Sequence, residues 1–186
     1  ALALKPTHLS FNGGGNDILR PRTKASDIVD AFAQVLRRCD EEGVRMILLS
    51  GANPSKQLPM GSVFQRRGDE LSRAVDVHFT GRDDVFRALN WPDDELATPP
   101  YWSEDRLHMN VRGHHRVAAR VLDAVGQQAP EEWWSLPEIE TVGPRGWDYY
   151  REHVGPWIQR RLTRTSSGDG REPKYGLWHV MEPADR

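Results

Sequence analysis

The sequence is poor in cysteine and contains no long apolar run. Cys39 is the only cysteine among 186 residues, so no disulfide can close within the chain and a zinc site of four thiolates is excluded. Its place in an apolar helical stripe predicts an inert core residue. No stretch approaches the roughly 18 consecutive apolar residues that a membrane-spanning helix requires, so no membrane span is expected.

An excess of charge of either sign is also absent. The 25 Lys and Arg residues oppose 27 Asp and Glu residues, which gives a net charge of −2 and predicts no attraction to nucleic acid. Hydrophobic residues make up 38% and charged residues 28% of the chain, a composition typical of a globular domain. The sequence starts at Ala1 without methionine, which leaves the cellular location open, with the cytoplasm favoured. The oligomeric state is open as well.

The first fifty residues contain a strand–helix–strand pattern. Residues 8–12 form a short extended run that a glycine-rich turn ends. Ser26 offers an N-cap and Gly43 a stop for a helix whose apolar residues recur at helical spacing. Residues 44–50 are almost continuously apolar, which is typical of a strand buried on both faces of a parallel sheet. This order predicts a βαβ-like unit and the α/β class.

Three further elements and a loop are predicted in the middle of the chain. Residues 62–75 have the spacing of a helix, residues 75–80 favour a short strand, and residues 83–89 favour a second helix. The Pro-rich residues 91–102 predict a loop.

A last helix and a change of composition follow. Asn110 is the predicted N-cap of this helix and Gly126 its stop. One domain is therefore predicted over residues 1–127, followed by a Trp- and Pro-rich helical extension over residues 128–186, of which residues 166–174 are expected to be flexible. The tryptophans either lock the extension onto the domain, which is the favoured interpretation, or shape a pocket.

A glycine-rich turn after the first strand carries one candidate functional residue. Gly14 and Gly15 let the backbone approach a ligand closely, and the Asn16 amide that follows them can donate to a developing negative charge. Asp17 is expected to order this turn rather than to take part in chemistry. The alternative is an ordinary Asn-Asp turn that only ends a strand.

An Asp-x-x-His pattern lies just before the Asn110 helix. Asp105 and His108 are three residues apart, so their side chains can share one face of a turn. A carboxylate in that position accepts from one imidazole nitrogen and leaves the other nitrogen as a general base. The alternative is a surface contact without chemistry.

Together the two patterns resemble a known family. The segments FNGGGNDILRP and EDRLHMNVRGHHRVAARVL are similar to the third and fifth sequence blocks of the SGNH/GDSL-type serine hydrolases. The tail PWIQRRLTRTSSGDGREPK is similar to an extension of actinobacterial members. The resemblance implies that Asn16 completes an oxyanion hole and that Asp105 and His108 are the acid and base of a catalytic triad. It also implies a three-layer α/β/α sandwich around a parallel, flavodoxin-like sheet.

The resemblance further implies that the chain is truncated at its N terminus. The family's nucleophilic serine lies in a GDS block after the first strand, and a second block adds a backbone donor to the oxyanion hole; neither block precedes Asn16. Ser10 and Ser167 stand in the wrong context for a nucleophile. The nucleophile is therefore unknown, the first strands of the sheet are expected to be missing, and the chain alone is expected to be inactive. Residues 8–12 would then form a bare sheet edge that invites aggregation.

The implied function is that of an esterase or lipase-like acyl hydrolase, which acts on a small-molecule ester and needs no metal or organic cofactor. His108, His114 and His115 lie close together in the sequence, but the last two are adjacent and point apart on a helix, so no metal site is predicted. The arginines of the tail are expected to be solvated rather than bound to nucleic acid. The alternative function is a non-catalytic α/β domain that binds a small ligand or a carbohydrate.

Overall fold

The computed structural model describes residues 1–20, 22–58, 61–134, 146–163, 165, 170–172 and 180. The chain forms two compact units, Ala1–Gly143 and Pro144–Arg186.

The sheet of the first unit consists of three parallel strands in the order β1–β2–β3. β1 is His8–Asn12, β2 is Arg45–Ser50 and β3 is Val85–Leu89. Met46 and Leu48, on one face of the central strand, are 0% exposed, whereas Ile47 and Leu49 on the other face are half-buried. The two strands predicted in the first fifty residues and the α/β class are confirmed.

Three long helices connect and follow the strands. α1, Ala25–Glu41, joins β1 to β2; α2, Gly61–Phe79, joins β2 to β3; and α3, Val111–Ala124, follows β3. α1 and α2 pack against each other, while α3 contacts β3. The main core cluster contains Ile18, Ile28, Val29, Phe32, Leu36, Met46, Leu48, Leu71, Val75, Phe79, Val85 and Trp91. Burial of this apolar set is the dominant favourable contribution to folding of the unit.

Two predictions for the middle of the chain are wrong. The predicted strand at 75–80 belongs to α2, where Val75 and Phe79, one helical turn apart, both face the core. Gly81, with a φ of +79°, lies just beyond this helix. The predicted helix at 83–89 is wrong as well, because these residues supply β3, which pairs with β2. The backbone N–H and C=O groups of β3 form their hydrogen bonds with the edge of β2. The spacing of residues within 83–89 carries no information about that distant partner.

α1 begins earlier than predicted. Lys24, not Ser26, is the N-cap, because the Asp27 carboxylate accepts a 3.1 Å hydrogen bond from the Lys24 N–H and closes the first turn there. Gly43, with a φ of +65°, follows the helix as predicted. Cys39 on the buried side of α1 is 0% exposed, which confirms it as a core residue. Burial, with Asp40 beside it, raises the pKa of the thiol and makes it unreactive.

α3 has the predicted ends. Its N-cap Asn110 accepts a 3.1 Å hydrogen bond from Gly113 N, and Gly126, with a φ of +73°, follows its C-terminal end. The helix starts tightly against the preceding segment, since a Cβ at position 113 would lie 2.4 Å from the Tyr101 carbonyl oxygen.

The contact between α2 and Trp91, two residues beyond β3, yields a stability prediction. A Cβ added at Gly68 would lie 1.8 Å from Trp91 Cζ2, and the indole is held in place because its Nε1 donates to Asp69 Oδ1 at 2.8 Å. We expect Gly68→Ala to lower the free energy of unfolding by about 1–3 kcal/mol despite the gain in helix propensity. Urea denaturation measures this loss. Gly51→Ala, whose Cβ would meet nothing within 4 Å, is the matched control, and equal stability of the two variants would contradict the prediction.

Residues 147–163 of the second unit are helical. Helix α4 covers Trp147–Tyr149, a π-helical turn covers Tyr150–Val154, and α5 covers Gly155–Thr163. Most of the segment predicted to be flexible, residues 166–169 and 173–174, lies outside the described residues. Within the described residues, no helix combines the length and apolarity that crossing a bilayer demands.

Candidate active site

Asp105 and His108 form a direct pair. His108 Nδ1 lies 2.5 Å from Asp105 Oδ2. Because an ionised carboxylate only accepts hydrogen bonds, Nδ1 carries the proton and Nε2 of the neutral imidazole carries the free lone pair. The His108 side chain is 76% exposed. The arrangement therefore presents a tautomer-fixed imidazole to the outside of the unit, as a general base requires.

The Asp105 carboxylate is held by several donors. Its Oδ1 accepts from the backbone N–H groups of Leu107 and His108, both at 3.0 Å, and from Ser103 Oγ at 2.8 Å. Burial raises the pKa of Asp105, but the hydrogen bonds from His108, Leu107 and Ser103 outweigh it and lower the pKa to about 2. Asp105 is therefore ionised at neutral pH and available to balance a charged imidazole.

A tight turn brings the two side chains together. Arg106 between them has a φ of +58°, a left-handed conformation that a non-glycine residue rarely adopts, and its N–H donates to Ser103 O at 2.9 Å. Trp102 and Met109 form an antiparallel bridge that closes the turn. The pair thus sits in a reversed loop before α3 and not within a helix.

Aromatic packing anchors this loop to the carboxyl end of the sheet. Trp102 Nε1 donates to Leu96 O at 3.0 Å, and the side chain belongs to a second buried cluster with Ala52 and Tyr101. Ala52 comes directly after Gly51 at the end of β2. The carboxyl ends of parallel strands are where α/β proteins bind ligands, and the Asp105–His108 loop packs against that edge.

The turn that carries Asn16 lies at the same edge, at the end of β1. Gly14 is buried with a φ of +81°, and a Cβ there would lie 2.9 Å from Leu71 Cδ2, so the turn needs glycine at this position. Gly15 and Asn16 are exposed. Asp17 Oδ1 pairs with Arg20 at 3.3 Å. The Asn16 side chain makes no capping hydrogen bond to the 3₁₀ turn that follows it.

The structure brings the predicted residues together only in part. Asp105 and His108 are in contact, and Asn16 lies in the loop after the first of the parallel strands. Among the described residues, no hydrogen bond or ion pair joins Asn16 to His108. A role for Asn16 beside this pair stays a prediction.

Two buried polar clusters near this edge were not predicted. In the first, Asn53 Nδ2 and Ser55 Oγ both donate to Gln65 Oε1, at 2.8 and 2.5 Å. In the second, Arg116 and Arg120 of α3 converge on the Asp93 carboxylate, whose side chain is 4% exposed. The only sequence signal was the run of polar residues after each strand, since the partners lie far apart along the chain.

The other two histidines of this region, His114 and His115, lie on α3. His115 stacks on Trp133 with ring centroids 5.0 Å apart, and His114 is exposed on α3. Across the described part of the chain, no three His, Cys, Asp or Glu side chains are grouped to hold a metal ion.

The low pKa of Asp105 predicts a pH dependence of stability. Because its pKa falls from an ordinary value of 3.8 to about 2 on folding, the ionised carboxylate stabilises the native state above pH 4, and this contribution disappears as the pH falls through 2. We expect Asp105→Asn to be less stable than the parent chain at pH 6, and the difference to shrink toward pH 2. Urea denaturation at a series of pH values measures it, and a difference that is independent of pH would contradict the assignment.

These features define an α/β protein with a three-stranded parallel sheet and an Asp–His pair near its carboxyl edge. No protein-family model, no curated protein and no solved structure matches the chain.

Proposed function

We propose that this chain is part of an SGNH/GDSL-type serine hydrolase that cleaves esters. The observation that carries the proposal is the 2.5 Å contact between His108 Nδ1 and Asp105 Oδ2, with the imidazole otherwise exposed. A surface ion pair without function would not need a carboxylate that three further donors hold in place. That degree of orientation is typical of a triad acid.

The strand order is consistent with the proposal. In a flavodoxin-like sheet the last three strands are parallel neighbours in chain order, as β1, β2 and β3 are here. β1 stands at the edge of the described sheet, where the first strands of the complete fold would pair. α1 and α2 pack together while α3 contacts β3, and the proposed fold also requires helices packed around its sheet.

The proposed reaction is acyl transfer to a serine and then to water. A serine from a segment before residue 1 attacks the ester carbonyl, and His108 Nε2 takes the hydroxyl proton. Asp105 stabilises the imidazolium, and the Asn16 amide donates to the tetrahedral oxyanion. His108 returns the proton to the leaving alcohol. Water then cleaves the acyl-enzyme by the same steps, which releases the carboxylic acid and restores the serine.

Covalent labelling tests the proposal. The full-length gene product should react with a fluorophosphonate probe and hydrolyse p-nitrophenyl acetate, whereas residues 1–186 alone should do neither. Peptide mapping should find the label on a serine before residue 1. A full-length product that is neither labelled nor active would overturn the hydrolase proposal and favour the non-catalytic binding domain.

A further inference from the structure

We propose that Ser103 is a positioning residue for the Asp105–His108 pair. The catalytic meaning of this proposal rests on the proposed ester hydrolysis, but the positioning itself is a property of the loop. Ser103 is not one of the two residues that would handle protons, and it touches the pair only through Asp105 and the His108 backbone.

Ser103 contacts both residues of the pair. Its Oγ lies 2.8 Å from Asp105 Oδ1 and 2.7 Å from His108 O. Its backbone N–H donates to the same His108 carbonyl at 2.9 Å. A hydroxyl has one proton to give, and the His108 carbonyl already has a backbone donor. The Ser103 hydroxyl therefore donates to the Asp105 carboxylate, because a hydrogen bond to an ionised acceptor is stronger than one to a neutral carbonyl.

This contact determines which carboxylate oxygen faces the imidazole. Oδ1 accepts from Ser103, Leu107 and His108 N, whereas Oδ2 faces His108 Nδ1. The two backbone donors come from the residues after the left-handed Arg106 and fix Oδ1 from one side of the loop. Ser103 comes from the opposite arm, so its hydroxyl prevents rotation of the carboxylate away from the imidazole.

The effect on the imidazole follows directly. With Oδ2 held against Nδ1, the neutral ring keeps its proton on Nδ1 and leaves Nε2 unprotonated for the base step. Loss of the Ser103 hydroxyl frees the carboxylate to turn, so a fraction of the rings moves the proton to Nε2. That fraction is unable to act as a base.

The test uses the full-length gene product labelled with ¹⁵N at histidine only. In the parent protein, the ¹⁵N shifts of His108 at high pH should show a protonated Nδ1 and an unprotonated Nε2. Ser103→Ala should shift both nitrogens toward a tautomer mixture and raise the pKa of Asp105, while Ser103→Thr, which keeps the hydroxyl, should restore the parent values. Ser62→Ala, at an exposed position of α2, is the matched control.

A kinetic arm separates failure of this proposal from failure of the hydrolase proposal. If the full-length product hydrolyses p-nitrophenyl acetate, Ser103→Ala should lower kcat about 10-fold and leave KM within about twofold. If the parent is inactive, the hydrolase proposal fails, and the ¹⁵N shifts still decide the role of Ser103. An unchanged His108 tautomer and an unchanged Asp105 pKa in Ser103→Ala would overturn the positioning role, whether or not the parent is active.

Discussion

Replacement of His108 by alanine is expected to abolish ester hydrolysis by the full-length gene product, with kcat lowered on the order of 10⁴–10⁶-fold. In the proposed mechanism Nε2 of this imidazole removes the serine proton, and no second base is paired with a carboxylate in this loop. KM should change little, because the proposed role of His108 is in the transition state rather than in binding of the ester. Steady-state kinetics with p-nitrophenyl acetate measures the loss.

The control for this substitution is His114→Ala. His114 is exposed on α3, one turn beyond the Asn110 cap, and no carboxylate in the loop orients its ring. The His114→Ala variant should keep the ester-hydrolysis activity of the parent within about twofold, since surface substitutions away from reacting atoms have small effects. If His108→Ala keeps more than a tenth of the parent activity, the base is another residue and the proposed mechanism is wrong.

Removal of the Asp93 carboxylate is expected to cause the largest loss of stability. Arg116 Nε lies 2.9 Å and Arg120 Nη1 lies 3.3 Å from Asp93 Oδ2, and the Glu95 and Leu96 N–H groups donate to Oδ1. Burial raises the pKa of Asp93, but Arg116, Arg120 and the Leu96 N–H outweigh it, so the carboxylate is ionised. Asp93→Ala would leave two partly buried guanidinium groups without their shared partner, which costs about 3–5 kcal/mol.

The neighbouring aspartate is a matched control for Asp93→Ala. The Asp94 side chain is 99% exposed and only approaches Lys56 at 3.9 Å, so Asp94→Ala should change the free energy of unfolding by less than about 0.5 kcal/mol. Guanidinium chloride denaturation compares the two variants. A loss below about 1 kcal/mol for Asp93→Ala would show that the two arginines are held by their other contacts, such as those of Arg120 with Asn90 Oδ1 and Leu89 O.

Local features of the chain were predicted well because their causes are local. The Asn110 cap needs only Gly113, three residues later, and the Asp105–His108 contact needs only one turn of chain. The apolar run of residues 45–50 was enough to predict β2, since one face of this strand is buried and the other is half-buried. By contrast, β3 has a sequence that fits a helix or a strand, and its pairing with β2 decided between them.

The surroundings of the candidate site were not predictable in the same way. The spacing of Asp105 and His108 does not reveal that Ser103 reaches the carboxylate, because that contact depends on the left-handed turn at Arg106. Asp93 and Arg116 are far apart in sequence and meet only when α3 lies against β3.

The sequence by itself determined the α/β class, the ends of α3, and the Asp–His pair, since each depends on residues within a turn or on the burial of one segment. Only the tertiary structure decided that β3 is a strand, that the pair packs near the carboxyl edge of the sheet, and that Ser103 and the Asp93 cluster support that region. The physical reason is that hydrogen bonds and ion pairs between distant residues form only after the hydrophobic core has brought their segments together.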